Sequence, residues 1–329
     1  MNDTKKKDLN YFLLKFKKLR RDRKKGGAPH KPILLLSVIN LFEVNPLQTN
    51  QIYITPELIS FFKSNWSKLV DSDHNMIFAL PFFHMKSDDF WRLKAKPGCE
   101  KWVEAKSAMR SFSNLNTAVQ CAEIDIELFQ LFKNTECREI LKLFLLDEYF
   151  PRTKLNYSMN SDHNDLGNIT KEIREESASE YIQKLRILQE QLDNSAFEEE
   201  VYLRGSLFKR EIPRLYNNTC SISGLRIDAV ISVSMIDACH IVPFSESYDD
   251  TVSNGIALCP NLHRAFDRGL ISIDENYHVL ISRVFSEPMQ SSHSILQFEG
   301  QQIRLPETKM FYPDQKNLAN HRTKFGFLC

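Results

Sequence analysis

The stretch that decides the fold is Asp237-Ala-Cys-His240-Ile-Val-Pro243, followed after ten intervening residues by Asn254-Gly-Ile-Ala-Leu-Cys259-Pro-Asn-Leu-His263-Arg-Ala-Phe-Asp267. From His240 to Asn254 is 14 positions and from Asn254 to His263 is nine, gaps that a strand, a loop and a helix fill. Folded back on itself, such a unit brings the three side chains together. On a helix His263 and Asp267, four apart, share one face and can hold one cation between them. Along an extended strand Asp237 and Cys239 project to one side and His240 to the other. Asp237 is thereby a further candidate ligand, because carboxylate and imidazole suit Mg2+, Mn2+ or a similar divalent ion. Phosphodiester hydrolysis requires a base for water and a cation for the charge on the phosphoryl group. A histidine suits the first task because it titrates near neutrality.

Outward from this core, Leu207 to Tyr216 reads as a helix and Asn217-Asn218 as a turn. Val230 to Ile241 reads as strand and turn, with a loop from there to about Leu258. Residues 260–268 read as a short helix. The alternation of Leu270, Ile271 and Ile273 and then His278 to Ile281 reads as strands.

The segment from about Tyr216 to Asp274 resembles the HNH endonuclease family of the restriction type. The resemblance rests on His-Ile-Val-Pro, Asn-Gly-Ile-Ala-Leu-Cys and Leu-His-Arg-Ala-Phe-Asp in that order. It implies a ββα-metal fold in which His240 activates water, Asn254 braces the loop and His263 binds the catalytic metal. Many such domains also hold a structural zinc on two Cys-x-x-Cys pairs. Here Ser223 stands three positions after Cys220, and Leu262 three after Cys259, so a structural zinc is not expected and Cys220 and Cys259 are read as small buried residues.

The chain of 329 residues is long enough for two cores. Residues 1–31 hold 12 Lys or Arg against three Asp or Glu, whereas 171–200 hold nine acidic against four basic residues. That asymmetry says more about partners than the net charge of +1, because binding responds to local potential. Tyr11 to Arg23 reads as a basic amphipathic helix stopped by Gly26-Gly27-Ala28-Pro29. Ile33 to Phe42 reads as a buried helix, and Thr55-Pro56-Glu57 as the start of a helix over 57–70. Pro81 to Met85 and Phe90 to Leu93 read as short strands, Ile124 to Phe132 and Glu136 to Tyr149 as closing helices. Leu155 to Asn168 turns polar, and 171–193 has helical spacing. The expected architecture is α+β. A mixed helical and short-strand domain (1–155) is joined by a partly helical linker (156–200) to a nuclease domain (201–329).

Seven scattered cysteines form no disulfide framework, no apolar run is long enough to span a bilayer, and the start of the chain lacks a secretory segment. The expectation is a cytoplasmic protein with no membrane partner.

Arg20-Arg21-x-Arg23, then Gly26-Gly27-Ala28-Pro29-His30-Lys31-Pro32, resembles the sulfur-binding domain of phosphorothioate-dependent restriction endonucleases. Leu80-Pro81-Phe82-Phe83-His84 and Asp88-Asp89-Phe90-Trp91 continue the match. The resemblance implies binding to DNA in which sulfur replaces a non-bridging phosphate oxygen. Sulfur is larger and more weakly hydrated than oxygen, so an apolar concavity accepts it and leaves a phosphate oxygen poorly solvated. Pro81 with Phe82 or Phe83 is read as the wall of that concavity. His30 and Lys31 are read as contacts to the backbone anion or a base edge, and Arg20, Arg21 and Arg23 as sequence-independent attraction. His84 and Arg110 are further candidates. Leu80 and His84 depart from the family pattern, which bears on the shape of the wall. Two rival readings keep part of this scheme: an HNH endonuclease that reads another modification or plain sequence, and a DNA-binding regulator that does not cut. One such site cuts one strand, so a double-strand break requires two protomers, possible through a homodimer, or two successive nicks.

Overall fold

The computed structural model describes residues 7–22, 26–45, 48–105, 109, 111–157, 164–227, 234–287 and 294–327. The chain divides into two compact units. One comprises Met1–Leu166 with Leu192–Leu203, the other Gly167–Gln191 with Arg204–Cys329.

In the first unit α1 (Leu9–Lys17) begins at Asp8, whose carboxylate accepts the Tyr11 amide at 2.9 Å. It ends six residues before the expected Arg23. Beyond Lys18 the backbone leaves the helical path, and the Arg20 amide turns to the Asp88 carboxylate at 3.4 Å. Next comes α2 (His30–Val44), buried without interruption from Lys31 to Phe42, so no amphipathic stripe marks it. Its polar groups are satisfied internally: Ser37 Oγ donates to the Ile33 carbonyl, and Asn65 Nδ2 donates to Ser37 Oγ and Asn40 Oδ1. After β1 (Gln51–Ile52) comes α3 (Pro56–Leu69), where Thr55 Oγ1 accepts the Leu58 amide and proline occupies the first turn, as the Thr-Pro-Glu reading predicts.

The expected strand over Pro81–Met85 is instead α4 (Ala79–His84), followed by a 3-10 turn. Pro81 sits in the first turn, where its missing N–H has no intrahelical partner to lose. Phe78, Phe82 and Met85 then fall at helical spacing and face the core. Trp91 opens β2 (Trp91–Ala95), and α5 (Glu100–Glu104) and α6 (Phe112–Ala118) follow. Between β1 and β2, antiparallel to both, lies β3 (Val119–Ile124), a strand the sequence reading did not contain. Ile124, expected to start a helix, ends this strand. Asp125 then caps α7 (Ile126–Lys133) through the Glu127 amide, and α8 (Thr135–Tyr149) closes the core.

The segment 171–193, read as having helical spacing, falls in two helices, α9 (Asn164–Glu175) and α10 (Ala178–Gln191). The helix expected at Leu207 is far longer: α11 runs Asn194–Leu215 and contributes its later turns to the second unit. There β4 (Asp237–His240) is followed by α12 (Phe244–Ser247) and pairs antiparallel with β5 (Gly255–Leu258), where the reading had a loop. The four residues of β5 are all buried and apolar, so they carry no strand alternation. Gly255 stands opposite His240, and a Cβ there would lie 2.3 Å from the Ile212 side chain of α11. Only glycine allows that approach. Then come α13 (Pro260–Asp267), the antiparallel pair β6 (Ile271–Ile273) and β7 (Val279–Ile281), and α14 (Gln315–Lys324). The last helix is fixed by His321, which stacks on Phe266 with ring centres 3.7 Å apart and hydrogen-bonds Ser272 Oγ and the Phe266 carbonyl. No helix among the described residues is long and apolar enough to cross a membrane.

Candidate active site

The hairpin of β4 and β5 with α13 positions the three residues singled out above. His240 ends β4, Asn254 immediately precedes β5, and His263 lies on the second turn of α13. The His240 ring stacks on Phe208 of α11, with centroids 4.0 Å apart and planes 11° apart. Its Nε2 meets Oδ1 of Asp250 at 2.8 Å, and that carboxylate is almost wholly buried. No described residue binds the other ring nitrogen, Nδ1. Phe208 and Asp250 are absent from the sequence reading, because neither lies in a motif; only the fold brings them to His240.

Asn254 is completely buried and its amide is saturated. Nδ2 donates to the carbonyls of Val242 at 2.9 Å and Asp249 at 3.0 Å, while Oδ1 accepts from the Val242 amide and from Asn317 Nδ2. The start and the middle of the connection between β4 and β5 are thus tied to one side chain. Burial in the same loop pushes the Asp249 carboxyl above the ordinary carboxylate range.

Nearby, Cys239, His263 and Asp267 each present one donor atom, all three within 4.8 Å of one another. Asp237 stands beside this trio rather than in it, its Oδ2 3.2 Å from His263 Nδ1, while Asp267 Oδ2 lies 3.5 Å from His263 Nε2. His263, Asp237 and Asp267 all reach solvent, whereas Cys239 is fully buried. Burial, with Asp267 and Asp237 adding to it, raises that thiol well above its ordinary pKa. Of these donors, the imidazole of His263 and the carboxylate of Asp267 fit a divalent cation. A cavity of about 310 Å3 is walled by His240, His263 and Asp267 together, with Lys209 of α11 at its side.

Where related domains place the second cysteine of each pair, the chain has Ser223 and Leu262. Ser223 satisfies both remaining thiols: its amide donates to Cys220 Sγ at 3.4 Å and its hydroxyl to Cys259 Sγ at 3.9 Å. Cys220 is fully buried, Cys259 only half-buried, and Leu262 packs as an apolar residue.

In the first unit the residues read as DNA contacts partly converge. A cavity of about 520 Å3 is lined by Arg20, Arg21, His30, Lys31, Pro81 and His84. Leu80 and Ile77 add apolar wall and His74 adds a third imidazole, the last two unread in the sequence. Several of these groups already have protein partners. Lys31 forms a buried ion pair with Asp88 and donates to Ser87 Oγ at 2.9 Å. Arg21 donates to the Ala28 carbonyl and lies over the Tyr149 ring at 4.4 Å. One His30 ring nitrogen is 2.9 Å from the Asn75 carbonyl, and burial lowers its pKa. Phe82 is not part of the wall: helical spacing turns it, like Phe83, wholly into the core, where its ring meets Trp91. Arg23 and Arg110 lie outside the described residues.

No curated protein matches the chain. Among solved structures, a chain described as a modification-dependent TagI restriction endonuclease aligns at 22% identity and a TM-score of 0.27, over 36% of each chain. The alignment therefore spans little more than a third of that protein's length. The family model described as HNH endonuclease matches residues 220–274, the segment that contains β4, β5, α13 and every residue of the trio. Residues 220–274 are an HNH endonuclease domain.

Proposed function

We propose that the protein is a modification-dependent restriction endonuclease, in which residues 1–155 read phosphorothioated DNA, 156–200 link, and 201–329 cut. The observation that carries the cutting half is the held imidazole of His240. With Nε2–H donated to Asp250, the lone pair of Nδ1 is left to take a proton from water. Phe208 fixes the plane of the ring and Asn254 fixes the loop that bears Asp250. His263 and Asp267, with Asp237 orienting His263, are the residues that would hold Mg2+ or Mn2+. Bound there, the cation would supply charge stabilisation at the phosphoryl group. Cys239, a neutral buried thiol, is a poor ligand for so hard an ion and closes the floor of the site.

The reading half is supported by the mixed wall of the N-terminal cavity. Leu80, Pro81 and Ile77 offer sulfur an apolar surface, and Arg20 and the histidines stand close enough to meet the remaining phosphate charge. A second reading is favoured by one observation. At about 520 Å3 the cavity is far larger than a sulfur atom requires, which suits an extruded modified base. Cleavage of one duplex with and without a phosphorothioate tests the first reading. Equal rates on the two substrates would sink it, and a duplex carrying a modified base in the same assay tests the second.

A further inference from the structure

We propose that a second, basic cavity in the nuclease unit holds a backbone phosphate of the DNA strand away from the bond being cut, an inference that rests on the nuclease reading. The cavity measures about 660 Å3, and three guanidiniums from distant parts of the sequence line it. Arg174 comes from the last turn of α9, Arg214 from the last turn of α11, and Arg304 from the segment after β7. Arg174 lies over the Phe311 ring at 5.0 Å, and Arg304 makes a long bond of 3.4 Å to the Ile222 carbonyl. Neither has a carboxylate partner among the described residues. Arg214 pairs with Glu211 at 3.2 Å but stays largely exposed. Against these three charges the wall carries one carboxylate, Glu307.

Guanidiniums gathered around one concavity, two of them without a carboxylate partner among the described residues, repel one another. An anion removes that repulsion, and the planar fork of arginine matches a phosphate. The place in the fold suits a nucleic acid strand rather than a free anion, because α11 walls both cavities. Lys209 borders the catalytic cavity and Arg214, five residues on, borders the basic one. At 1.5 Å and about 100° per residue the two positions are about 7.5 Å apart along the helix and about 140° apart around it, so a strand reaches both by crossing α11 rather than running along it. A strand that crosses α11 can therefore present one phosphate to each cavity.

The test is binding of a fluorescent duplex to the full chain in EDTA, followed across a salt titration. The Arg174→Gln/Arg304→Gln variant should bind at least tenfold more weakly, with a log–log salt slope shallower by between about one and two. Arg174→Lys/Arg304→Lys should keep the slope. Glu307→Lys should tighten binding and steepen the slope, an outcome misfolding cannot produce. Unchanged affinity and slope in the glutamine variant, or no gain from Glu307→Lys, overturns the proposal. Because binding is read without metal, a wild-type protein that binds but fails to nick the duplex with Mn2+ would refute the nuclease reading separately.

Discussion

The ββα site and the N-terminal cavity both set histidines among charged groups, and they use those charges in opposite ways. In the ββα site the carboxylates of Asp237 and Asp267 are about half exposed and converge on His263, so their charge faces whatever enters. In the N-terminal cavity Lys31 and Asp88 are each only 7% exposed and neutralise one another, and Arg21 is occupied by Ala28 and Tyr149. The first arrangement is suited to chemistry. The second is suited to recognition by shape, with charge spent on holding the wall in place. A basic run in a sequence is thus no measure of free positive charge in the fold.

The comparison breaks first at His240. Replacing it with alanine should lower cleavage by about 10² to 10⁴, the range for a general base, with duplex affinity unchanged. Gel cleavage and fluorescence anisotropy on the same preparation read both, and comparable cutting by the variant would remove His240 from that role. Next in size, Lys31→Met should destabilise by about 3–5 kcal/mol in urea unfolding, because it leaves the buried Asp88 carboxylate without its counter-ion. Adding Asp88→Asn should recover much of that loss. A cost below about 1 kcal/mol would mean that the Lys31 charge is available to DNA after all.

Acid and alkali should separate the two units. Burial pushes the Glu199 carboxyl of the first unit up to about 7 from an ordinary 4.5. The folded state then holds a proton that the unfolded chain releases between those values. Its stabilisation is complete below 4.5 and is lost as pH rises through about 7. His321 of the second unit is pushed down to about 4 from 6.5, also by burial, so its contribution is complete above 6.5 and is lost as pH falls through about 4. Between pH 5 and 8 the Glu199→Gln variant should escape a loss on the order of 2 kcal/mol that the wild type suffers. Equal pH dependence of wild type and variant in urea unfolding would contradict this. The smallest effect expected is on selectivity. Leu80→Ser, which makes the cavity wall polar, should cut the preference for phosphorothioated over plain duplex by about tenfold, the scale of one apolar contact.

The ββα core is legible in the sequence because its residues lie on single short elements. His263 and Asp267 need only helical spacing, and Asp237 and Cys239 only the alternation of a strand. What escapes are the partners that tertiary structure supplies. Asp250 and Phe208 reach His240 from a loop and a different helix, and Asp88 reaches Lys31 across 57 residues. Buried elements escape as well. Short, largely apolar stretches at Pro81–Met85 and Gly255–Leu258 fit helix and strand equally, and packing makes the first helical and the second extended. Phe82 is misplaced in the reading for that reason. One period assigns its ring to a wall, the other to the core.

The Asn254–Gly255 step gives the domain a dependence on time as well as on shape. An asparagine followed by glycine is the dipeptide most prone to lose its side-chain amide, since the small residue lets the next backbone nitrogen attack. Here Gly255 is indispensable for the approach of Ile212, and both protons of the Asn254 amide are held by Val242 and Asp249. Folding shields the step. Each excursion to the unfolded state exposes it, and conversion to aspartate would set a carboxylate against those two carbonyls. Damage of that kind does not reverse on refolding, so each opening of this loop risks a permanent loss of the folded site.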